Sequence, residues 1–225
     1  MLEEILLVQS LSSYSSGTLK ELNRLLDDGH DEIISIIECQ YDESDLLEIL
    51  KIFKKGYNIE IFGEGKFDTY QIKVIRLGLE KGIDVSTYAD VKFDFDQMDV
   101  IRLGLEKGID VSIYADVKFN WMQMQEIRYG LEKGIDVSIY ADVKFNWMQM
   151  KEIRYGLEKG IDVSIYADVR FNWMQMAQIR LKLENGVDVS TICVDIKKEK
   201  TMIIDDITEK VKTRKLVKDE KKKNN

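Results

Sequence analysis

One histidine, His30, and two cysteines, Cys39 and Cys193, are the first places to look for acid–base, thiol or metal chemistry in this sequence. A histidine titrates near neutrality and suits a general base or a pH switch. His30, however, stands beside Gly29, no nucleophile can be paired with it from sequence, and a solvated loop position accounts for it more simply. The cysteines lie far apart, with neither a Cys/His zinc spacing nor a disulfide framework, so both are expected as small core residues in a reducing compartment. Asp27, Gly29, Asp31 and Glu38 faintly outline a calcium loop, but Glu32 holds the sixth position, where the sharp turn needs glycine. Asp31 reads better as a helix cap. Gly63-Glu64-Gly65-Lys66 lacks the Ser/Thr and the spacing of a P-loop. These positions supply no catalytic residue, no cofactor and no metal site, and a non-enzymatic protein is expected.

The remaining chemistry-bearing residues recur at a fixed interval. Ile75, Ile101, Ile127, Ile153 and Ile179 are each 26 residues apart, and each is followed by arginine: Arg76, Arg102, Arg128, Arg154 and Arg180. Asp84, Asp110, Asp136, Asp162 and Asp188 keep the same period. Residues 145–170 differ from residues 119–144 only by Lys151 for Gln125 and Arg170 for Lys144, as after a recent tandem duplication. Seven repeats start at Tyr14, Tyr41, Phe67, Phe93, Phe119, Phe145 and Phe171.

Each repeat spells a helix, a glycine stop and a second short helix. In residues 119–144, Asn120 can cap helix A, expected over 121–133, and Gly134 suits the left-handed residue that ends it. Asp136 then caps a short helix B over Val137 to Ala141. On a helical wheel Met124, Ile127 and Leu131 fall within about 60° of one another and define the buried stripe of helix A. A pair this small cannot enclose its own core, so stacking must bury it. The expected fold is all-α, an αα-solenoid of seven short helix-pair repeats with terminal caps. Residues 1–13, with Leu2, Ile5, Leu6 and Leu7, form the amino-terminal cap; residues 14–196 form the repeat domain. Residues 197–225, with Ile203, Ile204, Ile207 and Val211, form the carboxy-terminal cap and basic tail.

Three ladders run through the stack. Arg128 lies about 70° from the centre of the buried stripe, so its stem is partly covered and its guanidinium needs a partner. Glu132 at i+4 and Asp142 at the end of the repeat are the expected carboxylates. Trp121, Trp147 and Trp173 are expected to pack between repeats rather than to stack on bases. Met122 with Tyr129, Met148 with Tyr155, and Met174 with Leu181 lie on the side of helix A away from the buried stripe. Two readings stay open for Met122, Tyr129, Met148, Tyr155 and Met174: an adaptable apolar patch for a protein partner, or the flank on which adjacent A helices stack.

Charge and composition bound the partner. Residues 1–66 hold fourteen acids and six bases, whereas residues 197–225 hold eleven bases and six acids. An acidic body does not suit direct nucleic-acid binding, which draws on Lys and Arg neutralising phosphates, and Lys221 to Lys223 read as a solvated terminus. Proline is absent, which favours helix throughout. No apolar run is long enough to span a membrane and the start lacks a signal peptide's basic region, so a soluble, cytoplasmic protein is expected. The string QMxxIRxGLExG[IV]DVS, often followed by Tyr-Ala, resembles a tandem short helical repeat of uncharacterised proteins of Firmicutes and their mobile elements. The resemblance is clear over residues 67–193 and weak over 14–66, and it brings no established activity. Family members often carry Pro where this chain has Val91, Val117, Val143 and Val169, which implies a looser turn here. Two functions follow as expectations. The first is a scaffold binding a protein partner. The second is a phage or mobile-element inhibitor of a host defence nuclease, anti-CRISPR-like, whose acidic amino-terminal repeats, with Asp94, Asp96 and Asp99, imitate nucleic acid.

Overall fold

The computed structural model describes residues 7–9, 11–190, 194, 198, 201–212 and 214, in two compact units, Met1–Arg128 and Tyr129–Asn225. Cys193, Leu2, Ile5, Leu6 and Lys221 to Lys223 lie outside the described residues. Seven A helices start at the expected places: α1 (Ser16–Asp27), α3 (Glu43–Lys54), α4 (Thr69–Glu80), α5 (Phe95–Glu106), α6 (Trp121–Glu132), α7 (Trp147–Glu158) and α8 (Trp173–Glu184). The first repeat has a true second helix, α2 (Glu32–Glu38), where the second to sixth have a 3-10 turn, such as Val137–Ile139. In the first unit α3 packs on α4 and α4 on α5; in the second, α7 packs on α8. No described residue is in a strand. The architecture is the all-α, helix-pair solenoid class that the period implies.

Local chemistry explains the boundaries. Asp68, Asp94, Asn146 and Asn172 are N-caps, and each is completed by a glutamine three residues on, a reciprocal capping box. Gly134 ends α6 with φ 68°, as the left-handed stop requires. Asp136 then accepts the Ser138 N–H at 3.0 Å and starts the 3-10 turn, and Asp84, Asp110 and Asp162 do the same for Ser86, Ser112 and Ser164.

The capping glutamine also ties one repeat to the next. Gln71 Oε1 accepts the Asp68 N–H while its Nε2 donates to the Phe93 carbonyl of the following repeat at 2.7 Å. Gln97 reaches Phe119 and Gln149 reaches Phe171 in the same way. All three glutamines are buried, and these bonds satisfy them. Within a repeat, a tyrosine folds onto a glycine. A Cβ at Gly156 would lie 2.0 Å from the Tyr166 Oη, and the Tyr166 hydroxyl donates to the Glu152 carbonyl. A glycine inside a helix costs about 1 kcal/mol against alanine, and seating a fully buried aromatic ring returns about 2 kcal/mol or more.

The buried face differs from the wheel in one respect. Met124 and Ile127 are fully buried, but Leu131 is only half-buried. Gln123, Glu126, Arg128 and Gly130 join the interior instead, because each A helix is covered on more than one side. At the carboxy-terminal end, residues 201–212 are helical, but Ile203, Ile204, Ile207 and Val211 remain about half exposed rather than closing the stack.

Two outcomes test this account. Deleting residues 145–170, one whole repeat, leaves a cooperatively melting helical protein, whereas deleting residues 145–157 does not; circular dichroism with thermal melts distinguishes them. Asp45 stands where later repeats have the glutamine, is buried, and has an Oδ1 without a hydrogen-bond partner. Burial raises its carboxyl above the usual range, so the ionised form opposes folding. Asp45→Gln restores the capping box and gains about 1–2 kcal/mol near neutral pH. That gain shrinks as pH falls through the raised Asp45 pKa towards the ordinary value of 3.8, because protonation then relieves the wild type. A gain independent of pH would point away from the carboxylate.

Candidate functional site

The residues singled out for catalysis have structural occupations. His30 is half-buried, with Nδ1 3.4 Å from Glu32 and its ring edge-on to Phe53. Cys39 directs its thiol to the Gly63 carbonyl, and burial pushes that thiol up, away from the reactive thiolate. The Gly63–Lys66 segment is a packed junction. Gly63 abuts Ser35, Lys66 Nζ donates to the Gln40 carbonyl at 2.8 Å, and the Tyr41 hydroxyl lies 2.7 Å from the Gly65 carbonyl. Among the described residues, no three His, Cys, Asp or Glu side chains converge as they would around a metal ion.

The arginine ladder pairs chiefly within its own helices. Arg76 pairs with Glu80, Arg102 with both Asp99 and Glu106, and Arg154 with Glu158. The expected i+4 partner is therefore present. Asp142 has a different occupation from the one expected: it accepts the Lys144 N–H at 3.0 Å and pairs with the Lys144 ammonium at 2.9 Å. The carboxylate that reaches the next repeat is Glu152, which meets Arg180 Nε at 2.9 Å. Both groups are largely withdrawn from water. Sequence reasoning missed Glu152, although its signal is present: the residue before the repeated isoleucine is Val74 and Val100 in earlier repeats and becomes Glu126 and Glu152 later. Lysines at the helix ends add a second set of links, Lys55 to Glu80, Lys81 to Glu106 and Lys133 to Glu158.

The Met/Tyr stripe divides. Met122, Tyr129, Met148 and Tyr155 are half-buried, while Met174 is 53 % exposed and Leu181 48 %. The Arg154 guanidinium lies 4.6 Å from the Tyr155 ring and 5.5 Å from the Tyr129 ring, and Arg180 lies 5.6 Å from Tyr155. The Tyr155 ring is thus sandwiched between cations of successive repeats, and Arg154 also reaches back to Tyr129. Trp121 and Trp147 are half-buried, whereas Trp173 is exposed.

What the repeats leave open is their turn edge. Val91, Val117, Val143 and Val169, where the resembling family often has Pro, are each nearly half exposed. Ile113 and Ile139 in the 3-10 turns are 41 % exposed. Each valine follows an aspartate, Asp90, Asp116, Asp142 or Asp168, that bonds the N–H of the next lysine or arginine. The capping aspartates Asp84, Asp110, Asp136 and Asp162 lie in the same turns and are held below the usual carboxylate range by their serines, so they are ionised at neutral pH. In the first unit Ile61, Glu64, Phe67, Ser86, Ala89, Asp90 and Val91 line a groove of about 310 Å³ between two such turns.

The half-buried and open ends of the Met/Tyr stripe respond differently to polar substitution. Met148→Gln with Tyr155→Gln lowers the melting temperature by several degrees, because it removes the ring between two guanidinium groups. Met174→Gln with Leu181→Gln changes it little. Equal effects from the two pairs would contradict the packing role. No protein-family model, curated protein or solved structure matches this chain.

Proposed function

We propose that the protein is a non-enzymatic helical-repeat scaffold that holds a protein partner along its turn edge. The supporting observation is the recurrence of half-exposed Val91, Val117, Val143 and Val169 at one place in the repeat. A single exposed valine is ordinary. In the first unit Val91 and Val117 with Ile113, and in the second Val143 and Val169 with Ile139, recur at the same place in the repeat beside ionised aspartates, a patterned apolar edge with negative borders in each unit. The complementary partner is a protein surface or segment with apolar side chains between Lys or Arg residues. The Arg76, Arg102, Arg154 and Arg180 guanidinium groups are engaged by carboxylates, which weakens any reading that has them grip phosphates. No helix among the described residues is long and apolar enough to cross a membrane.

The acidic amino-terminal repeats favour the nuclease-inhibitor reading through one feature. Asp96 is raised above the usual carboxylate range by burial and by the neighbouring Asp94 and Asp99, a local crowding of negative charge. Many other acids there already serve the fold: Glu21 pairs with Arg24 and Lys54, and Glu43 accepts from Ser15 and Thr18. A nucleic-acid mimic needs its carboxylates turned outward.

Capture from an extract of the native cells separates the two. With Val91, Val117, Val143 and Val169 all changed to Asn, the melting temperature should stay within about 2 °C of wild type, and capture of a salt-resistant partner should be lost. A nucleic-acid-binding partner that is released by high salt and indifferent to the valines would establish the mimic instead.

A further inference from the structure

The helix over residues 201–212 is exposed along its whole length. Met202 is 72 % exposed, Ile203 50 %, Ile204 54 %, Ile207 55 % and Val211 47 %. On a helical wheel Ile203, Ile207, Val211 and Ile204 fall within about 100°, so they form one continuous apolar stripe. Arg170 meets Thr201 at the start of this segment, but nothing among the described residues buries the stripe beyond it, and a helix with an unpacked apolar face is marginal in water. The stripe therefore needs a cover.

The charges along the helix select that cover. Asp205, Asp206 and Glu209 precede Lys210, Lys212 and Arg214, so the helix is acidic first and basic last. Two copies side by side and parallel would set acid level with acid and base level with base. Turned antiparallel about an axis at Thr208, the same helices set Asp206 of one copy opposite Lys210 of the other, twice by symmetry. Both residues flank the stripe on the same side, about 40° apart, which is the arrangement an antiparallel pair needs. Within one chain Lys210 Nζ already meets Asp206 at 2.6 Å, as an exposed pair of little worth. Antiparallel packing also aligns the two helix dipoles favourably. We infer that residues 201–212 pair antiparallel with the same segment of a second copy, and that the protein is a homodimer held through this stripe.

Sedimentation of the full-length chain across a dilution series tests the inference. The expected species has the mass of two chains and dissociates on dilution. Ile207→Asp should yield a monomer with unchanged helicity of the repeats and unchanged melting temperature at a concentration where wild type is also monomeric. Asp206→Lys and Lys210→Glu should each weaken self-association about tenfold or more by opposing like charges. Mixing those two variants should restore association, since each contact then joins a lysine to an acid. Three results would overturn the proposal: a wild-type monomer at every concentration; a mixture no tighter than its parents; or an Ile207→Asp monomer with a clearly lowered melting temperature, which would make the helix a cover for its own α8.

Discussion

A buried glutamine at the third position of the A helix is the contact on which the regularity of the stack depends. Gln71, Gln97 and Gln149 each complete the cap of their own helix with one end of the amide and hold the phenylalanine carbonyl of the next repeat with the other. The side chain is polar, yet leaving either end unpaired inside the protein would cost about 1–3 kcal/mol. The amide therefore fixes where the next repeat begins, and a shifted neighbour would lose a bond it cannot replace with water. Asp45 holds the same position in the second repeat with a shorter acid, and its Oδ1 is left without a hydrogen-bond partner.

Around that contact, the repeats trade apolar surface for ordered charge. Arg102, Arg128 and Arg154 are buried together with Glu126 and Glu152. Buried ion pairs seldom add much net stability, because desolvation offsets the attraction, but a broken pair is strongly unfavourable. Their contribution is register. Near-identical repeats could slide past one another at little hydrophobic cost, and matched guanidinium, carboxylate and tyrosine ladders penalise each wrong alignment. The tyrosine seated on a helix glycine instead fixes the geometry inside each repeat, since only glycine leaves room for Tyr88, Tyr114, Tyr140 or Tyr166 at that level.

The same regularity shapes the surface. Interior contacts absorb most of the arginines, the capping amides and most of the methionine stripe, so the apolar groups left at the surface include those on the turns and at the end of the second unit. Turn residues carry no helix hydrogen bonds for their neighbours and can vary without disturbing the stack. Here they have not varied: the valine and its acidic neighbour recur with the period of the fold. Duplicating a repeat duplicates its turn with it, as residues 119–144 and 145–170 illustrate.

The amino-acid sequence by itself determined the period, the helix starts at Asn and Asp caps, the glycine stops and the aspartate-capped turns. All of these rest on hydrogen bonds within a few residues, so a single repeat contains every atom involved. Which faces are buried was decided by tertiary structure. Leu131 belongs to the apolar stripe on a wheel but stays half-buried, while Glu126 and Arg128 go inside. Asp142, expected on the arginine ladder, holds Lys144, and Glu152 takes the inter-repeat place. The Met/Tyr stripe is half-buried along the stack and open only at Met174 and Leu181. A wheel describes one helix in isolation, whereas burial and ion pairing depend on the position of the neighbouring repeat, whose side chains lie far away in sequence and close in space.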